Sequence, residues 1–446
     1  MKTIIEALHP MNRCLLGEGY DNALEYLKHL VDLEVIEIPS GTELGTWIVP
    51  QEWIIKDAWV KFDGKKIIDY KKDPLSVVIG SAPFNGKVKL DEFLSHLNYE
   101  HGQFTGKLPD ATPYVTNYYG DDWGVCMPKN KVVIPNKSKK AIKGVLNGKK
   151  KVIPMTLMGL KKGDYEVFID TKKVPGKMKL GVHTIKGKSD REILLLAHLD
   201  HPYQSNDNLS GVACLIDVAK RIKCEHTIKI IFCPETIGST AYALTQDTSK
   251  VDFAIAVDIC GNDSDILVNK AFDREARINK VVHLAIHSAG ETYRKGEFRS
   301  TIGSDESVFN DPEIGIPSIM ISRHPFQEYH TSADTPDRIN YDNIKKTATA
   351  IMKIIEIYES DYIPKRKFKG QLMRSRYGIQ TENKQFNLAW DYMMYATDGK
   401  KYLSELCCDY GLLYDQTFES FNKLEDDGKI SRVSDSGKVG KQEASE

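Results

Sequence analysis

One segment, residues 192–211 with the sequence EILLLAHLDHPYQSNDNLSG, constrains the fold of this chain more than any other. Residues 193–197 within it are consecutive apolar side chains, a pattern typical of a buried strand in a parallel sheet. Open α/β sheets bind their ligands at the carboxyl ends of such strands. Directly after this strand come four residues of the types that bind zinc and similar divalent ions: His198, Asp200, His201 and Asp207. The segment therefore predicts a metal site, and a solvated turn that carries histidines by chance is the alternative.

The size and charge of the chain limit its organisation and its partners. At 446 residues it is too long for a single core, and about two to four domains are expected. Its formal net charge of -1 gives no overall field that favours a nucleic acid or an anionic membrane. The N-terminus has no sustained apolar segment, and no run approaches the ~20 apolar residues that span a bilayer. The cysteines show no CxxC pairing, which favours a reducing compartment, and we expect a cytoplasmic protein without a membrane partner.

An alternation of strand and helix patterns from residue 164 onward predicts the main domain. Apolar residues at helical spacing lie between strands predicted at 164–170, 192–197, 228–233, 254–259 and 316–321. A long helix is predicted at roughly 341–360. This alternation is typical of an α/β fold in which helices cover both faces of a sheet, and we assign it residues 1–58 and 151–365.

Residues 59–150 differ in character from the segments on either side. Short apolar alternations are separated there by turn-forming residues and lysines, so we predict a small β-rich domain inserted into the first. A polyanion could bind the lysine-rich stretch 137–151. Its interspersed Gly, Asn and Ser residues favour a solvated hairpin surface instead.

Residues 370–440 form a third predicted domain. Three helical segments precede the strand-like KISRV, which is the order of a winged helix-turn-helix. The third helix is acidic, with Lys423 as its one lysine, and an acidic helix is repelled by the phosphates of DNA. We therefore expect no nucleic-acid partner and predict a homo-oligomer formed through this domain. Three aromatic residues could supply its contact surface, with burial in the domain core as the alternative: Tyr414, Phe418 and Phe421.

Further polar side chains are found where other predicted strands end. Singly, such residues mostly cap helices or face solvent. Because the carboxyl ends of parallel strands meet at one sheet edge, we expect a common site for Glu235, Asp258, Asp305, Glu306 and His330. His283 and His287 also have a metal-ligand spacing, but no HExxH glutamate accompanies them, and we interpret both as helix-surface residues.

The order of these motifs resembles that of the co-catalytic zinc aminopeptidases and carboxypeptidases, which include bacterial leucyl aminopeptidase and are related to the glutaminyl cyclases. The matching motifs are HLD at 198–200, DNLSG at 207–211, ETIG at 235–238, SDESVF at 304–309, GIP at 315–317 and YHTSADT at 329–335. Over nearly the whole chain, SGTELGTWIVPQEW, YVTNYYGDDWGVC and HPYQSNDNLSG look like bacterial aminopeptidase-like proteins with an inserted β domain and a C-terminal winged helix. The resemblance implies a phosphorylase/aminopeptidase-like mixed sheet with helices on both faces.

Carried over residue by residue, the resemblance implies a zinc site. His198, Asp207 and Asp258 would bind one ion, with Asp207 bridging to a second ion held by His330. Asp200 would orient the ring of His198 without binding the metal itself.

Two features of this sequence depart from the family's pattern. Thr236 stands where the family places a carboxylate ligand for the second metal, which leaves one zinc ion or two as alternatives. His198 and Asp207 are also closer in sequence than is usual, so His201 is an alternative histidine ligand. A site made of His201, Asp207 and His330 would keep the open fourth position that hydrolysis needs.

The activity that the resemblance implies is hydrolysis of an amide bond in a peptide or a small amide. Glu235 matches the general base that takes a proton from metal-bound water. Asp305 or Glu306 would bind the free α-ammonium group of a substrate, with a helix cap as the alternative role, and Arg323 would hold a carboxylate. Two other functions remain open: cyclisation or deacylation at the same zinc site, and a ligand-sensing regulator whose winged helix binds DNA.

Overall fold

The computed structural model describes residues 1–100, 108–132, 141–146, 149–154 and 160–433. Its strands are β1 (Glu34–Pro39), β2 (Glu43–Leu44), β3 (Trp47–Ile48), β4 (Glu52–Phe62), β5 (Lys65–Asp69), β6 (Phe84–Lys89), β7 (Leu97–Asn98), β8 (Val125–Cys126), β9 (Ala141–Leu146), β10 (Lys149–Pro154), β11 (Asp164–Val174), β12 (Lys177–Ile185), β13 (Glu192–His198), β14 (Thr227–Cys233), β15 (Val251–Val257), β16 (Ile266–Asn269), β17 (Tyr293–Gly296), β18 (Ser318–Arg323), β19 (Ile363–Arg366) and β20 (Ile430–Val433). Its helices are α1 (Lys2–Leu8), α2 (Glu18–Lys28), α3 (Leu90–Ser95), α4 (Lys129–Val132), α5 (Gly211–Arg221), α6 (Ile237–Thr245), α7 (Arg277–Ser288), α8 (Glu306–Phe309), α9 (Tyr341–Ser360), α10 (Lys384–Ala396), α11 (Leu403–Tyr410) and α12 (Tyr414–Asp426). Within the described ranges, no helix combines the length and the apolar character needed to cross a bilayer.

The larger sheet has eight strands in the order β1-β12-β14-β13-β15-β18-β16-β17. Its centre is parallel, because β13 runs in the same direction as β14 and β15, and β15 in the same direction as β18. Strands β1 and β12 run antiparallel at one side, and β16 runs antiparallel to β18 at the other. The mixed α/β sheet predicted from the sequence is therefore confirmed.

The central strand β13 is buried because helices cover both faces of the sheet. Its residue Leu195 packs into a core that includes α2, α5, α7 and α9. Leu194 and Leu196 point to the opposite face and pack with α6 and α8. Successive side chains of a strand point to opposite faces, so a strand covered on both sides needs the uninterrupted apolar run seen in this sequence.

A second, separate sheet has the order β5-β4-β11-β6, and we call the segment that contains it, residues 52–174, the inserted unit. Its core includes Trp53, Val60 and Tyr165. This unit extends beyond the predicted limits of 59–150, because β4 begins at residue 52 and β11 ends at residue 174. The sequence pattern assigns β11 to the main sheet, but β11 pairs with β4 and β6. Its buried and less buried residues alternate, as in a strand with only one covered face.

The lysine-rich stretch 137–151 contains part of a hairpin. Strands β9 and β10 pair antiparallel there, which agrees with the hairpin interpretation. Residues 137–140 and 147–148 of the stretch lie outside the described residues.

The C-terminal unit consists of the helices α10, α11 and α12 followed by β20, in the predicted order. Strand β20 pairs with β19, which precedes these helices, and α11 and α12 pack against α7 of the main domain. Lys353 of α9 forms an ion pair with Asp415 of α12 at 2.9 Å. Tyr414 and Phe421 are buried in the core that the two units share, so they pack inside the molecule and do not supply the predicted contact surface. The winged-helix assignment and the oligomer stay predictions.

Candidate metal centre

Three adjacent parallel strands carry the first residues of the site at their carboxyl ends. β13 ends at His198, Glu235 follows shortly after β14, and Asp258 directly follows β15. Because these strands are neighbours and run in one direction, the three side chains meet at one edge of the sheet. Asp207 and His330 reach the same edge from the loops before α5 and after β18.

His198 lies at the centre of this group. Its Nε2 atom is 3.3 Å from Asp207 Oδ1 and 3.4 Å from Asp258 Oδ1. Its Nδ1 atom is 3.3 Å from Asp200 Oδ1. The same oxygen of Asp200 accepts a hydrogen bond of 2.9 Å from the backbone amide of Glu235. Asp200 thus connects the ring of His198 to the segment that carries Glu235.

Asp207 contacts two further imidazoles. His201 Nδ1 lies 3.0 Å from Asp207 Oδ1, and His330 Nε2 lies 3.0 Å from Asp207 Oδ2. The other ring nitrogen of His201, Nε2, is 3.3 Å from Glu235 Oε2. His198 and His201, the two alternative ligands of the sequence analysis, therefore face the same carboxylate oxygen.

The pKa values of these groups reflect strong mutual stabilisation in a buried place. Burial disfavours the charged form of His198, but Asp258 and Glu235 outweigh it and hold the His198 pKa well above its ordinary value. Burial also disfavours the Asp207 carboxylate, yet His201 and His198 hold its pKa well below the ordinary value. Burial raises the pKa of Asp258, whereas for Glu235 the two histidines outweigh burial and lower the pKa to about 2. A cation that replaced the imidazole protons would stabilise the same carboxylates.

The donor atoms fit a divalent metal ion. Ligand atoms of His198, His201 and Asp207 lie within 4.8 Å of one another, and so do those of His198, Glu235 and Asp258. Both ring nitrogens of His198, Asp207 Oδ2 and Asp258 Oδ1 are buried and make no hydrogen bond of acceptable geometry within the described residues. Buried polar atoms seldom lack such partners, and imidazole and carboxylate are the donors that zinc prefers. The residues present therefore suit zinc.

Asp334, which the sequence analysis did not single out, holds the loop of Asp207. Its two carboxylate oxygens accept hydrogen bonds from the amides of Asn206 at 2.7 Å and Asp207 at 3.0 Å. Burial raises the pKa of Asp334 to about 7, although these amides favour its charged form. Asp334 belongs to YHTSADT, so its bonds connect that motif to DNLSG.

Arg13 holds the segment between His198 and Asp207, and no spacing pattern in the sequence marks it. Its buried guanidinium donates hydrogen bonds to the carbonyl oxygens of Leu199 at 2.9 Å, His201 at 2.8 Å and Gln204 at 2.9 Å, and also to that of Leu8. Burial lowers the Arg13 pKa to about 10. His201 has a φ of 65°, a conformation that a non-glycine residue adopts only when its surroundings impose it. The bond from Arg13 is part of that constraint.

A cavity of about 290 Å³ opens beside the cluster. One wall consists of Asp200, His201, Glu235, Thr236 and His330. Aromatic residues of the β2–β3 hairpin and of the inserted unit line the rest, namely Trp47, Tyr114, Tyr118 and Tyr119. The hydroxyl of Tyr119 donates a hydrogen bond of 2.7 Å to the carbonyl of Ile48, which joins these two parts of the wall. No lysine or arginine is found among the described residues that line the cavity.

The inserted unit is attached directly to the loop of His330. The amide of Tyr114 donates to the His330 carbonyl at 2.9 Å. The Thr112 amide donates a hydrogen bond of 2.9 Å to Ser332 Oγ, and the Ser332 amide donates one of 2.8 Å to the Thr112 carbonyl. The ring of Tyr114 lies 5.1 Å from the rings of both His201 and His330. The insertion therefore contributes to the position of two histidines of the cluster.

Asp305 and Glu306 are buried near the cluster, and one oxygen of each carboxylate accepts hydrogen bonds from protein groups. Asp305 Oδ1 accepts hydrogen bonds from the Thr236 amide at 2.8 Å and the Ser239 hydroxyl at 2.6 Å. Glu306 Oε2 accepts one from the Ser304 amide at 2.8 Å. Burial raises the pKa of each carboxyl to about 7. Neither residue is among the described residues that line the cavity, so both support the site from behind.

Arg323 lies outside both the cluster and the cavity lining. Its Nη1 donates to the Ser264 carbonyl at 2.9 Å, and its Nε to Thr347 Oγ1 at 3.3 Å. Its Nη2 is 3.7 Å from Glu291 Oε2. These contacts connect β18 to α9 and to the segments that carry Ser264 and Glu291, and a role of Arg323 in holding a substrate carboxylate stays a prediction.

Comparison with known sequences identifies the family. A sequence model described as "Domain of unknown function (DUF4910)" matches residues 2–361. A protein of Clostridium acetobutylicum is 32% identical over 369 residues, which cover 80% of this chain and 77% of that protein. It is provisionally named as a polysaccharide biosynthesis protein with an aminopeptidase-like domain.

Solved structures share the fold. One from Clostridium acetobutylicum, provisionally named as a peptidase, has a TM-score of 0.77 at 27% identity and covers 97% of this chain and 96% of its own. A zinc aminopeptidase from Bacillus subtilis has a TM-score of 0.55 at 13% identity, with 80% of this chain and 94% of its own covered. An M28 peptidase precursor from Shewanella amazonensis has a TM-score of 0.54 at 16% identity, with coverages of 80% and 92%. The chain therefore belongs to the family described as domain of unknown function DUF4910, and its fold is that of the zinc aminopeptidases.

Proposed function

We propose that the protein is a zinc-dependent hydrolase that removes N-terminal residues from peptides. The observation that carries this proposal is the convergence of His198, Asp207, Asp258 and His330 beside a cavity that His330 and Glu235 line. Imidazole and carboxylate donors bind zinc, and a carboxylate free of the metal can transfer protons beside it.

His198, Asp207 and Asp258 would hold the first zinc ion. Asp207 Oδ2 and His330 offer donors for a second ion, and His201 could take the place of the carboxylate that Thr236 does not provide. When bound, zinc polarises the substrate carbonyl and lowers the pKa of a coordinated water toward ~7.

Glu235 is placed to act as the general base. Ser304 Oγ donates a hydrogen bond of 3.1 Å to its Oε1, and His201 Nε2 lies 3.3 Å from its Oε2. Its side chain is 25% exposed, whereas that of Asp207 is 1% exposed, so Glu235 is the more accessible carboxylate. It would take a proton from the attacking water and deliver it to the leaving amine.

The charge of the cavity favours an aminopeptidase over a carboxypeptidase. Asp200 and Glu235 line it, and the described lining contains no basic side chain apart from histidine. A substrate carboxylate would meet no cation there, whereas a free α-ammonium group would meet two carboxylates. Arg323, the predicted carboxylate clamp, makes its contacts elsewhere.

Removal of an acyl group from a sugar amide is a second candidate. The Clostridium relative is named for polysaccharide biosynthesis, and Trp47 and Tyr119 supply exposed aromatic rings at the cavity. Such flat apolar surfaces can pack against a sugar ring as well as against a peptide side chain.

Metal analysis and a paired assay test the proposal. The purified protein should contain zinc, lose activity with a chelator, and regain it when zinc is returned. Aminoacyl p-nitroanilides should be cleaved and their N-acetylated counterparts should not. Cleavage of an N-acetyl sugar amide alone would select the second candidate, and protein that takes up no zinc would overturn both.

A further inference from the structure

A second cavity, of about 210 Å³, lies where the main domain meets the C-terminal unit. Residues of β16, β17, α7 and the loop between β16 and α7 form it together with Cys408 of α11. Four cationic side chains line it: Lys270, Arg274, Lys280 and Lys295. No acidic residue is found among the described residues of this lining. The cavity is thus opposite in charge to the one at the sheet edge.

Protein carboxylates offset only part of this charge. Glu297 lies 3.3 Å from Lys270 Nζ and 3.7 Å from Arg274 Nε, so one carboxylate serves two cations. In the part of the chain that the structure describes, Lys280 and Lys295 form no ion pair with an acidic side chain. Positive charges gathered in a concave surface reinforce one another and attract anions.

Neutral groups complete the lining. His283 Nδ1 and the Tyr293 hydroxyl are hydrogen-bonded to each other. Burial, and then the charge of Lys295, lower the His283 pKa, which favours the neutral form of this imidazole. Cys408 Sγ lies 3.6 Å from the carbonyl of Lys280, and this contact fixes α11 against the first turn of α7. The cavity therefore has hydrogen-bonding groups as well as charge.

We propose that this cavity binds a small phosphorylated ligand through its dianionic phosphoryl group. Lys280 and Lys295 would hold the phosphoryl oxygens, with Lys270 and Arg274 at the rim, since ammonium and guanidinium groups are the usual partners of phosphate. Val268, Val282 and Tyr293 also line the cavity and offer apolar surface to a small organic group on the same ligand. The volume of about 210 Å³ favours a small molecule over a nucleic-acid strand. This proposal is independent of the hydrolase at the sheet edge.

Calorimetric titration of the full chain in a phosphate-free buffer tests it. The probes are inorganic phosphate and a phosphomonoester, glucose 6-phosphate. We expect one site with a Kd below about 1 mM, and we expect the affinity to decrease as salt is added. In the variant Lys280→Gln/Lys295→Gln, the affinity should fall at least about tenfold, the size expected when charge-assisted hydrogen bonds are lost. The matched control is Arg294→Gln, an exposed cation of β17 that does not line the cavity.

Each outcome decides for or against the site. Tighter binding of the monoester than of phosphate would show that the apolar walls contribute, and equal binding would identify a free-phosphate site; both support the proposal. Equal affinity in the double variant and the wild type, or binding with a Kd above about 1 mM, which would mark an adventitious ion only, would overturn it. Binding of a DNA duplex with no binding of either small anion would overturn the ligand class. Thermal melting of the ligand-free variants verifies that they fold.

Discussion

At the scale of single residues, the roles proposed for Glu235 and Asp207 differ, and substitutions can distinguish them. Glu235→Gln keeps the shape of the side chain and removes the proton acceptor. We expect hydrolysis to fall by about 10² to 10⁴, the usual contribution of a positioned general base, while the zinc content stays close to that of the wild type. Steady-state kinetics measure the rate of hydrolysis, and metal analysis of the same preparation measures the zinc content. Loss of zinc from Glu235→Gln would make Glu235 a ligand instead. Glu313→Gln, at an exposed glutamate, is the control.

Asp207→Ala should lose zinc, activity and stability together. Both carboxylate oxygens of Asp207 face imidazoles, so every arrangement proposed for the metal uses this side chain. Removing it also takes away one of the carboxylates that favour the charged forms of His198 and His201. Metal analysis and thermal melting check the result against Asp342→Ala, on the exposed surface of α9. A variant that kept stoichiometric zinc would contradict each version of the site.

Arg13→Met tests whether a residue outside the cluster determines its geometry. Methionine fills the space but leaves buried carbonyls, including those of Leu199 and His201, without donors. We expect zinc affinity to fall by about tenfold or more, and Arg13→Lys, which retains a cationic donor, to recover part of it. Competition with a chromophoric chelator measures the affinity. A lower melting temperature with unchanged zinc affinity would limit Arg13 to a packing role.

The sequence predicted residues that belong to compact motifs and missed those defined by distant contacts. His198 and Asp258 stand at the ends of apolar runs, so their meeting at one sheet edge follows from the parallel order of the strands, and Asp207 belongs to the compact motif DNLSG. Arg13 has carbonyl oxygens as its acceptors, and carbonyls carry no residue identity that a pattern could reveal. Arg323 ends a strand of the same sheet, yet its long side chain turns toward α9, and its direction cannot be read from its place in the chain.

At the scale of elements, helices with a clear apolar period were predicted well. α9 covers the predicted range, and Asn340 caps it by accepting hydrogen bonds from the amides of Asp342 and Asn343. Strand partners were harder to predict, because pairing depends on residues far away in the chain. β11 looks like a strand in the sequence, but only its contacts with β4 and β6 place it in the inserted unit.

Tyr119→Phe tests whether the hydrogen bond between the inserted unit and the β2–β3 hairpin helps to shape the cavity at the sheet edge. The substitution removes the hydrogen bond from the inserted unit to Ile48 and leaves the cluster untouched. Because the Tyr119 side chain is largely exposed, we expect only about a two- to threefold rise in KM with kcat unchanged. Steady-state kinetics on a peptide substrate measure KM and kcat separately, with Tyr392→Phe on α10 as the control. An unchanged KM would mean that this wall does not contact the substrate.

At the scale of the whole molecule, the edge of the sheet opposite the cluster carries an ion network that should make stability depend on pH. His226 Nδ1 lies 3.1 Å from Glu359, and its Nε2 lies 3.0 Å from Asp252, which also pairs with Arg191. Burial disfavours the charged His226, but the two carboxylates outweigh it and raise its pKa from 6.5 to about 9. A raised histidine pKa stabilises the folded state fully below 6.5 and progressively less as pH rises through 9.

The substitution His226→Asn should therefore reduce the free energy of unfolding more at low pH than at high pH. We expect the difference in unfolding free energy between wild type and variant to be largest below pH 6.5 and to shrink by pH 9 and above. Urea unfolding at a series of pH values measures it. A difference that stays constant over this range would show that His226 acts through packing alone. His183→Asn, at another histidine near the surface of the same sheet, is the control.

The link between the inserted unit and the loop of His330 has a consequence for how a newly made chain matures. Thr112 and Ser332 are 220 positions apart, so the pairing cannot form until synthesis has advanced that far. At ~5–20 residues per second this takes roughly 10 to 40 seconds after Thr112 is added. Bringing together two segments that are this far apart in the sequence is also a slow step of folding. A nascent chain that stops before residue 330 lacks His330 and cannot complete the proposed zinc site, so this site would form late in the maturation of each chain.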